Sequence, residues 1–214
     1  MRKFLLILTA FVLSIGITDF AVASSNNSIT SVKDTDTIKR EDYIRTLYKA
    51  FDPICRKYGI NTKVAISQAI AEQGWELRKD FRIFNIASTN PTRSKLVYDN
   101  GEQRFRRYRV YTSLEQAVED YCKVLTSFHT YRKNGLFETL DPNMQIESIA
   151  KGGYATNPKY QQLVTAVMER FVSPVVDYLR EEEALARRSE ELQSVASISS
   201  VEAQHIRFCL PSGY

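Results

Sequence analysis

One acidic residue lies where a carboxyl group is hard to explain by structure alone. The residues from Thr62 to Gln73 predict a helix, and Gly74 is its predicted end. The apolar residues of this helix recur at helical spacing on one face: Val64, Ala65, Ala69 and Ile70. Glu72 follows Ala69 by three residues, so it extends the apolar face instead of the polar one.

A carboxyl group at this position tends to keep its proton. It lies in the last turn, near the negative end of the helix dipole and beside apolar surface, and both influences raise its pKa. A carboxylic acid that is protonated near neutral pH can serve as a general acid. The alternative is that Glu72 merely ends a surface helix, since perturbed acids mark functional sites in only a fraction of cases.

The first residues predict where the protein works. Arg2 and Lys3 precede an apolar run from Phe4 to Ile17, and Ala21-Val22-Ala23 has the small residues of a cleavage site. This pattern predicts a secretory signal peptide over residues 1–23. No later stretch is long or apolar enough to span a membrane. We expect an exported protein of the periplasm, cell envelope or extracellular space, without membrane insertion after cleavage.

Composition limits the partners. The 214 residues suffice for one domain with extensions, and the formal net charge is only +4. Removing the signal peptide takes away Arg2, Lys3 and Asp19, so the mature chain is slightly less basic still. Such a mild charge suits an anionic envelope polymer and does not support nucleic-acid binding.

Cysteines and histidines give little support for a cofactor site. The odd set Cys55, Cys122 and Cys209 would permit one disulfide with one thiol left over in an oxidising compartment. Cys55 and Cys122 fall on predicted apolar helix faces, which favours small buried hydrophobic residues. His129 and His205 are far apart and lack ligand spacing, so we predict neither a metal site nor a cofactor.

The chain begins with a predicted flexible lead over residues 24–39, which are polar and lack periodicity. Arg40 to Tyr58 then predict an amphipathic helix, in which Pro53 could begin a second segment. Gly59 ends this helix, and the short connection that follows forces the Glu72 helix to pack back nearby.

A β-hairpin is predicted after the polar loop from Ala87 to Lys95. Leu96-Val97-Tyr98 and a second alternating run through Val110 flank Asp99-Asn100-Gly101, a strong turn signal. The second strand, RFRRYRVY, alternates arginines with aromatic residues. A nucleic-acid or glycan surface is one interpretation, but arginines at period two usually form one solvated face, which we favour.

The second half of the chain is predicted to be helical. A capping box at Ser113 opens a helix from Leu114 to Tyr131, and Asn157 caps a helix from Pro158 to about Phe171. Val175 to Leu192 predict a charged, solvated helix. The remaining residues to Tyr214 could dock on the domain or bind a partner, and the sequence leaves both open.

A glycine pair precedes one tyrosine of interest. Gly152 and Gly153 allow the backbone to approach another group closely, and Tyr154 follows on the same turn. Tyr154 is therefore either a functional side chain placed at this close approach or a buried anchor of the turn.

Three blocks of the sequence together resemble the glucosaminidase family that cleaves peptidoglycan, which includes flagellar rod-associated muralytic domains and many Gram-positive autolysins. The first block, SQAIAEQGWE at residues 67–76 with RIFNI at 82–86, resembles the family's AQA-x-x-ESGWG and Asn-Leu-Phe-Gly-Ile. YRVYTS at 108–113 resembles FR-x-Y-x-S, and GYATNPKY at 153–160 resembles GYATDP-x-Y. The blocks occur in the family's order.

The resemblance implies a lysozyme-like α+β fold that is predominantly helical, with a small β-hairpin lobe across a glycan-binding cleft. It assigns the general-acid role to Glu72 and a supporting active-site role to Tyr154. Phe84, Asn85 and Tyr111 are the residues that it implies for substrate binding.

The chain departs from the family pattern at several positions. Four residues replace the usual Ser, Gly, Gly and Asp, in that order: Gln73, Glu76, Asn85 and Asn157. Many members carry a second acid in the hairpin, where this chain has Val97. Asp99 and Glu102 are the nearby candidates for a second acid, although both residue types at such positions are more commonly exposed turn residues.

We therefore expect a catalytic domain over residues 40–180, followed by a charged helix and C-terminal extension over 181–214. The expected activity is endo-beta-N-acetylglucosaminidase cleavage of β-1,4 bonds in peptidoglycan glycan strands, with Glu72 protonating the leaving oxygen. N-acetylmuramidase or lytic transglycosylase activity is an alternative on the same kind of fold. A non-catalytic peptidoglycan-binding module is the alternative from another class.

Overall fold

The computed structural model describes residues 34–99, 103–155 and 157–208. The predicted signal peptide, the Asn100-Gly101 turn, Glu102 and Cys209 lie outside this described part of the chain. Up to Val175 the described residues form one compact unit, and those from Val176 onward form another.

Helices dominate the described residues and a single antiparallel strand pair accompanies them, which confirms the predicted fold class. The elements, in chain order, are α1 Thr35–Tyr58, α2 Thr62–Gln73, β1 Ser94–Asp99, β2 Arg104–Arg109, α3 Leu114–Ser127, α4 His129–Lys133, α5 Pro142–Lys151, α6 Tyr160–Val167, a π-helical turn Met168–Val172, and α7 Ser173–Phe208. Within this part of the chain, no helix has the length and apolar character needed to cross a membrane.

Helix α1 is longer than predicted at its N-terminus. The Asp34 side chain accepts a hydrogen bond from the Asp36 N–H group and caps the helix, so residues 35–39 are helical instead of part of a flexible lead. Pro53 lies inside this one helix and does not begin a second segment. Its ring is exposed, while Phe51 and Cys55 on either side are buried and hold the helix against the core.

Helix α2 has the predicted bounds and lies at the centre of the first unit. Asn61 caps its start, and Gly74 ends it with φ 79°. Every residue of α2 except Lys63 is buried, because α1, α5 and α6 all pack against this helix. Its polar side chains are therefore enclosed together with the apolar ones, whereas the sequence predicted an apolar stripe on one face.

The predicted helix from Leu114 to Tyr131 is divided. Ser113 accepts a hydrogen bond from the Gln116 N–H group as the capping box predicts, but α3 ends at Ser127. Phe128 adopts an extended backbone conformation, and α4 begins after it. Near this break the Phe128 ring contacts that of the buried Tyr131, three residues further along, with ring centroids 6.4 Å apart.

The helix predicted from Pro158 starts two residues later, at Tyr160. Asn157 accepts a hydrogen bond from the Lys159 N–H group at 2.9 Å, so it closes a turn before the helix. The helical path then continues without a break through the π-helical turn into α7. The charged helix predicted from Val175 is thus the larger part of a helix that runs to Phe208.

The two strands pair antiparallel in a register that places Ser94 opposite Arg109 and Asp99 opposite Arg104, which confirms the predicted hairpin. Phe105 and Arg107 are exposed, while Tyr108 is buried and pairs with Ala87 in an isolated bridge. The hairpin therefore has one solvated face and one face against the loop that precedes it.

The cysteines of the described part lie in the core. Cys55 and Cys122 are both buried and both reduced. This agrees with their prediction as small buried hydrophobic residues.

Close packing requires a residue without a side chain at Gly152. A Cβ atom at this residue would lie 2.3 Å from the Cδ1 atom of Tyr131, whose side chain is buried. We predict that Gly152→Ala lowers the free energy of unfolding by about 3 kcal/mol, because the buried ring must move. The measurement is urea denaturation of the mutant and the wild type.

Gly59→Ala is the matched control, since Gly59 has φ 69° but open space around the missing Cβ atom. We expect this control to cost about 1 kcal/mol from backbone strain alone. Equal losses for the two variants would show that the contact with Tyr131 is not the constraint at Gly152.

Candidate active site

Glu72 is enclosed in the last turn of α2. Only 1% of its surface is exposed, and this burial raises the pKa of its carboxyl group from 4.5 to about 8. The hydrogen bond from Asn85 and the Tyr160 hydroxyl group act in the opposite direction and lower the pKa, but desolvation outweighs them. Glu72 is therefore mainly protonated at neutral pH, as its position in the sequence predicted.

Asn85 is the direct hydrogen-bond partner of Glu72. Its Nδ2 atom donates to Oε2 of Glu72 at 3.1 Å and to the backbone carbonyl oxygen of Glu72 at 3.3 Å. The other carboxyl oxygen, Oε1, is buried and makes no hydrogen bond. One oxygen of the acid is thus held by the protein, and the other is left for a further group.

Tyr154 lies near Glu72, but its hydroxyl group does not face solvent. The residue is 1% exposed, and its hydroxyl group donates to the Phe84 carbonyl oxygen at 3.4 Å. Burial raises the pKa of Tyr154 well above 10, and the charge of nearby Glu72 raises it further. Tyr154 is therefore a buried anchor of the residue next to Asn85, and a direct contact with substrate is not available to it in this conformation.

The Phe84 side chain belongs to the core. It is fully buried, stacks on Tyr121 with ring centroids 4.0 Å apart, and also contacts Phe51. This location corrects its assignment to substrate binding, because no surface of the ring is open to a glycan. The physical reason is that the ring packs between Phe51 of α1 and Tyr121 of α3, which enclose it.

Two residues beside Glu72 were not assigned from the sequence. Gln68 donates from Nε2 to the Tyr160 hydroxyl oxygen at 2.9 Å and accepts a hydrogen bond from the Tyr121 hydroxyl group. The Tyr160 oxygen is thus occupied as an acceptor, and its hydroxyl group is close enough to Glu72 to lower the pKa of the carboxyl group. The available signals were that Gln68 precedes Glu72 by one helical turn and that Tyr160 ends the GYATNPKY block.

Tyr111 lies in a separate polar cavity. Its hydroxyl group donates to Oδ2 of Asp120 at 2.6 Å, and Arg109 donates to both Asp120 oxygens at 2.8 Å. Burial and the Asp120 hydrogen bond raise the pKa of Tyr111. The cavity has a volume of about 980 Å³ and lies between the loop that contains Ser88 and the solvent side of α3, and neither Glu72 nor Asn85 lines it.

The side chains of the two candidates for a second acid lie outside the described part of the chain. Asp99 ends β1, but its side chain is outside the described part of the chain, as is the whole of Glu102. Val97, at the position where the family often has an acid, is half-buried in β1. Within the described residues, no cluster of three His, Cys, Asp or Glu side chains is arranged to hold a metal ion.

Comparison with protein families identifies a match over most of the first unit. The family model described as mannosyl-glycoprotein endo-beta-N-acetylglucosaminidase matches residues 48–172. This range contains Glu72, Asn85 and Tyr154, the three residues that the structure brings together.

Among curated proteins, the chain is similar to peptidoglycan hydrolase FlgJ of Vibrio cholerae, with 26% identity over 64% of this chain and 45% of that protein. FlgJ of Pseudomonas aeruginosa is 22% identical over 59% of this chain and 36% of its own length. The exo-glucosaminidase LytG of Bacillus subtilis is 23% identical over 79% of this chain and 66% of LytG. The chain thus spans about a third to a half of the FlgJ proteins that it matches.

Solved structures share the fold. The glycoside hydrolase domain of Salmonella typhimurium FlgJ superposes with a TM-score of 0.54 at 19% identity, over 70% of this chain and 98% of that domain. A peptidoglycan hydrolase mutant from Sphingomonas sp. A1 gives a TM-score of 0.53 at 24% identity, over 64% of this chain and 99% of that one. The predicted lysozyme-like fold is confirmed by these neighbours.

The raised pKa of Glu72 predicts a pH-dependent stability. The folded protein holds the proton more tightly than the unfolded chain, so the stabilisation is complete below pH 4.5 and is lost as the pH rises to about 8. Glu72→Gln keeps a neutral side chain at every pH. We expect it to match the wild type at pH 4.5 and to exceed it at pH 8 by a few kcal/mol, on the order of 1.4 kcal/mol per pH unit.

Urea denaturation at several pH values measures this difference. Glu76→Gln is the matched control for the loss of one carboxyl group, because Glu76 is exposed and lies four residues further along the chain. A difference between Glu72→Gln and the wild type that does not change with pH would contradict the buried, protonated carboxyl group.

Proposed function

Because the chain belongs to the mannosyl-glycoprotein endo-beta-N-acetylglucosaminidase family and is a glycoside hydrolase, we propose that it cleaves peptidoglycan with Glu72 as general acid. The observation that carries this proposal is the enclosed Glu72 carboxyl group, whose pKa of about 8 keeps the proton available at neutral pH. The names of the FlgJ relatives, peptidoglycan hydrolases, support the choice of polymer.

The proposed bond is the β-1,4 linkage that follows N-acetylglucosamine. Glu72 gives its proton to the leaving glycosidic oxygen as the bond from that oxygen to the anomeric carbon breaks. The positive charge that develops on the sugar is met by a hairpin carboxylate, Asp99 or Glu102, or by the acetamido oxygen of the substrate itself. Water then adds to the anomeric carbon, and its proton restores the Glu72 acid.

Substrate must displace the groups that cover Glu72, since the carboxyl group is buried in the free protein. Asn85, in the segment between α2 and β1, is the proposed polar contact beside the acid. Tyr111 and its cavity are the proposed contacts for sugars further along the strand.

Export completes the proposal, because peptidoglycan lies outside the cytoplasm. Residues 1–23 are proposed to direct the chain to the periplasm, cell envelope or extracellular space. The mass of the mature protein recovered outside the cytoplasm tests cleavage after Ala23.

Zymography on purified cell walls tests the role of Glu72. We predict that Glu72→Gln lowers the rate of wall clearing by about 100-fold or more, because general acid catalysis of this kind contributes that much. Glu76→Gln, the exposed neighbour, is the control and should clear walls like the wild type. Equal clearing by Glu72→Gln would remove Glu72 as the acid.

Analysis of the released muropeptides identifies the bond. Reducing-end N-acetylglucosamine supports the proposed specificity, whereas reducing-end muramic acid indicates a muramidase and an anhydro-sugar indicates a transglycosylase. Single sugars released from strand ends would indicate exo cleavage, as in the name of the LytG relative. Binding of the wild type to walls without any clearing would favour a non-catalytic module.

Tyr154→Phe tests the supporting role of the anchor. Its hydroxyl group holds the Phe84 carbonyl, so its loss should loosen the adjacent Asn85 and lower turnover by about 10-fold, with about 1 kcal/mol of lost stability. Turnover per folded molecule and the melting temperature are both measured. Tyr178→Phe, which loses an exposed hydrogen bond to Glu182 within α7, is the control and should leave turnover unchanged. A destabilised but fully active Tyr154→Phe would exclude Tyr154 from the site.

A further inference from the structure

The orientation of the Asn85 amide group is fixed by its contacts. The Nδ2 atom lies 3.3 Å from the Glu72 backbone carbonyl oxygen and 3.1 Å from Oε2 of the same residue. A backbone carbonyl oxygen can only accept a hydrogen bond, so the amide must present its N–H groups and not its oxygen to it. The same N–H groups therefore point at the Glu72 carboxyl group.

This orientation determines which carboxyl oxygen carries the proton. The carbonyl-type oxygen of a carboxylic acid is a better hydrogen-bond acceptor than its hydroxyl oxygen, so an amide N–H group favours the proton on the opposite oxygen. The oxygen that accepts from Asn85 is Oε2, so the proton is favoured on Oε1, which is buried and makes no hydrogen bond. We infer that Asn85 is a positioning residue that holds Oε2 and thereby leaves Oε1 of Glu72 to deliver the proton to the glycosidic oxygen. This inference rests on the proposed function of Glu72.

The backbone conformation at Asn85 would suit glycine better, so the asparagine side chain itself must have a role here. Its φ of 46° lies in the left-handed region, which glycine adopts without strain, and the resembling family block has glycine at this position. Asparagine tolerates this region better than most other residues, but still less well than glycine. The chain thus accepts some strain at Asn85 and gains the amide group that contacts Glu72.

Among the described residues that act on Glu72, no titratable side chain changes its charge in the pH range of the experiment. Tyr160 from α6 and Tyr154 from the turn before it are the titratable groups that face the carboxyl group. Burial raises the pKa of both well above 10, so both remain neutral over the pH range of the experiment. Asn85→Gly therefore removes the amide group while the titratable groups that face the acid stay neutral.

Asn85→Gly is the variant that tests the inference, because it removes the amide and suits the left-handed backbone. Without the hydrogen bond that favours the ionised form, the basic limb of kcat/KM on soluble glycan strands should move to higher pH. The plateau rate should fall by about 10-fold, since the carboxyl group is no longer held in one orientation. A melting temperature equal to or above that of the wild type is expected.

Gln103→Gly is the matched control. Gln103 also has a left-handed backbone, with φ 50°. It is exposed, directly precedes β2, and is not among the described residues that act on Glu72. The control reports any effect of glycine at a left-handed position. We expect it to leave both the pH profile and the plateau rate unchanged.

Carbon-13 NMR of glutamate carboxyl groups gives a readout that does not depend on activity. The Glu72 resonance is the one that Glu72→Gln lacks, and its titration should move to higher pH in Asn85→Gly. If Asn85→Gly keeps the wild-type titration and pH profile while Glu72→Gln is inactive, the inference is overturned and the proposed function stands. If Glu72→Gln remains active, the proposed function fails, and the positioning role fails with it.

Discussion

The enclosure of α2 is the constraint on which the rest of the structure depends. A helix that is buried around almost its whole circumference normally consists of apolar residues, but α2 also buries Ser67, Gln68, Glu72 and Gln73. Each enclosed polar group needs a partner, and the elements around α2 provide most of them. Gln68 and Gln73 contact tyrosine hydroxyl groups, and Glu72 contacts Asn85. Core and candidate site are therefore formed by one helix.

The hairpin and the turn before α6 hold the residues around the acid in place. The Arg109 N–H group donates to the Ile86 carbonyl oxygen, and the Ser88 N–H group donates to that of Arg107, both at 2.8 Å. These bonds attach the residues just after Asn85 to β2, while Tyr154 holds the residue just before it. Asn85 is thus fixed from both sides, which explains how a side chain in an irregular segment reaches Glu72 so specifically.

The sequence predicted what depends on local pattern. The bounds of α2, the burial of Glu72 and the hairpin follow from helical spacing, a glycine stop and a turn signal, because neighbouring residues determine these features. The start of α1 at Thr35 was missed because the residues around its Asp34 cap are polar and lack periodicity. The break at Phe128 was missed too, and Tyr131 just after it is buried beside Gly152, a contact that the local sequence does not specify. Family resemblance implied a supporting active-site role for Tyr154, but it could not show that the hydroxyl group is buried.

The segment between α2 and β1 shows most clearly what the sequence pattern could not predict. Phe84 and Asn85 are adjacent and were predicted to share one role, yet the Phe84 ring is inside the core and the Asn85 amide is on the acid. A left-handed residue reverses the direction of the chain locally, so side-chain directions after it cannot be read from helix or strand periodicity. Only the glycine-to-asparagine departure at position 85 marked this residue as unusual.

Burial of Glu72 also bears on how the proposed acid is restored after each turnover. Once the proton has left, a carboxylate remains in a desolvated site whose partners are the Asn85 amide and the Tyr160 hydroxyl group, and no cation among the described residues acts on it. Such a carboxylate is a stronger base than an exposed one, because its pKa of about 8 is high. The same desolvation that keeps Glu72 protonated before the reaction therefore favours removal of a proton from the attacking water afterwards, so one buried residue can act in both steps.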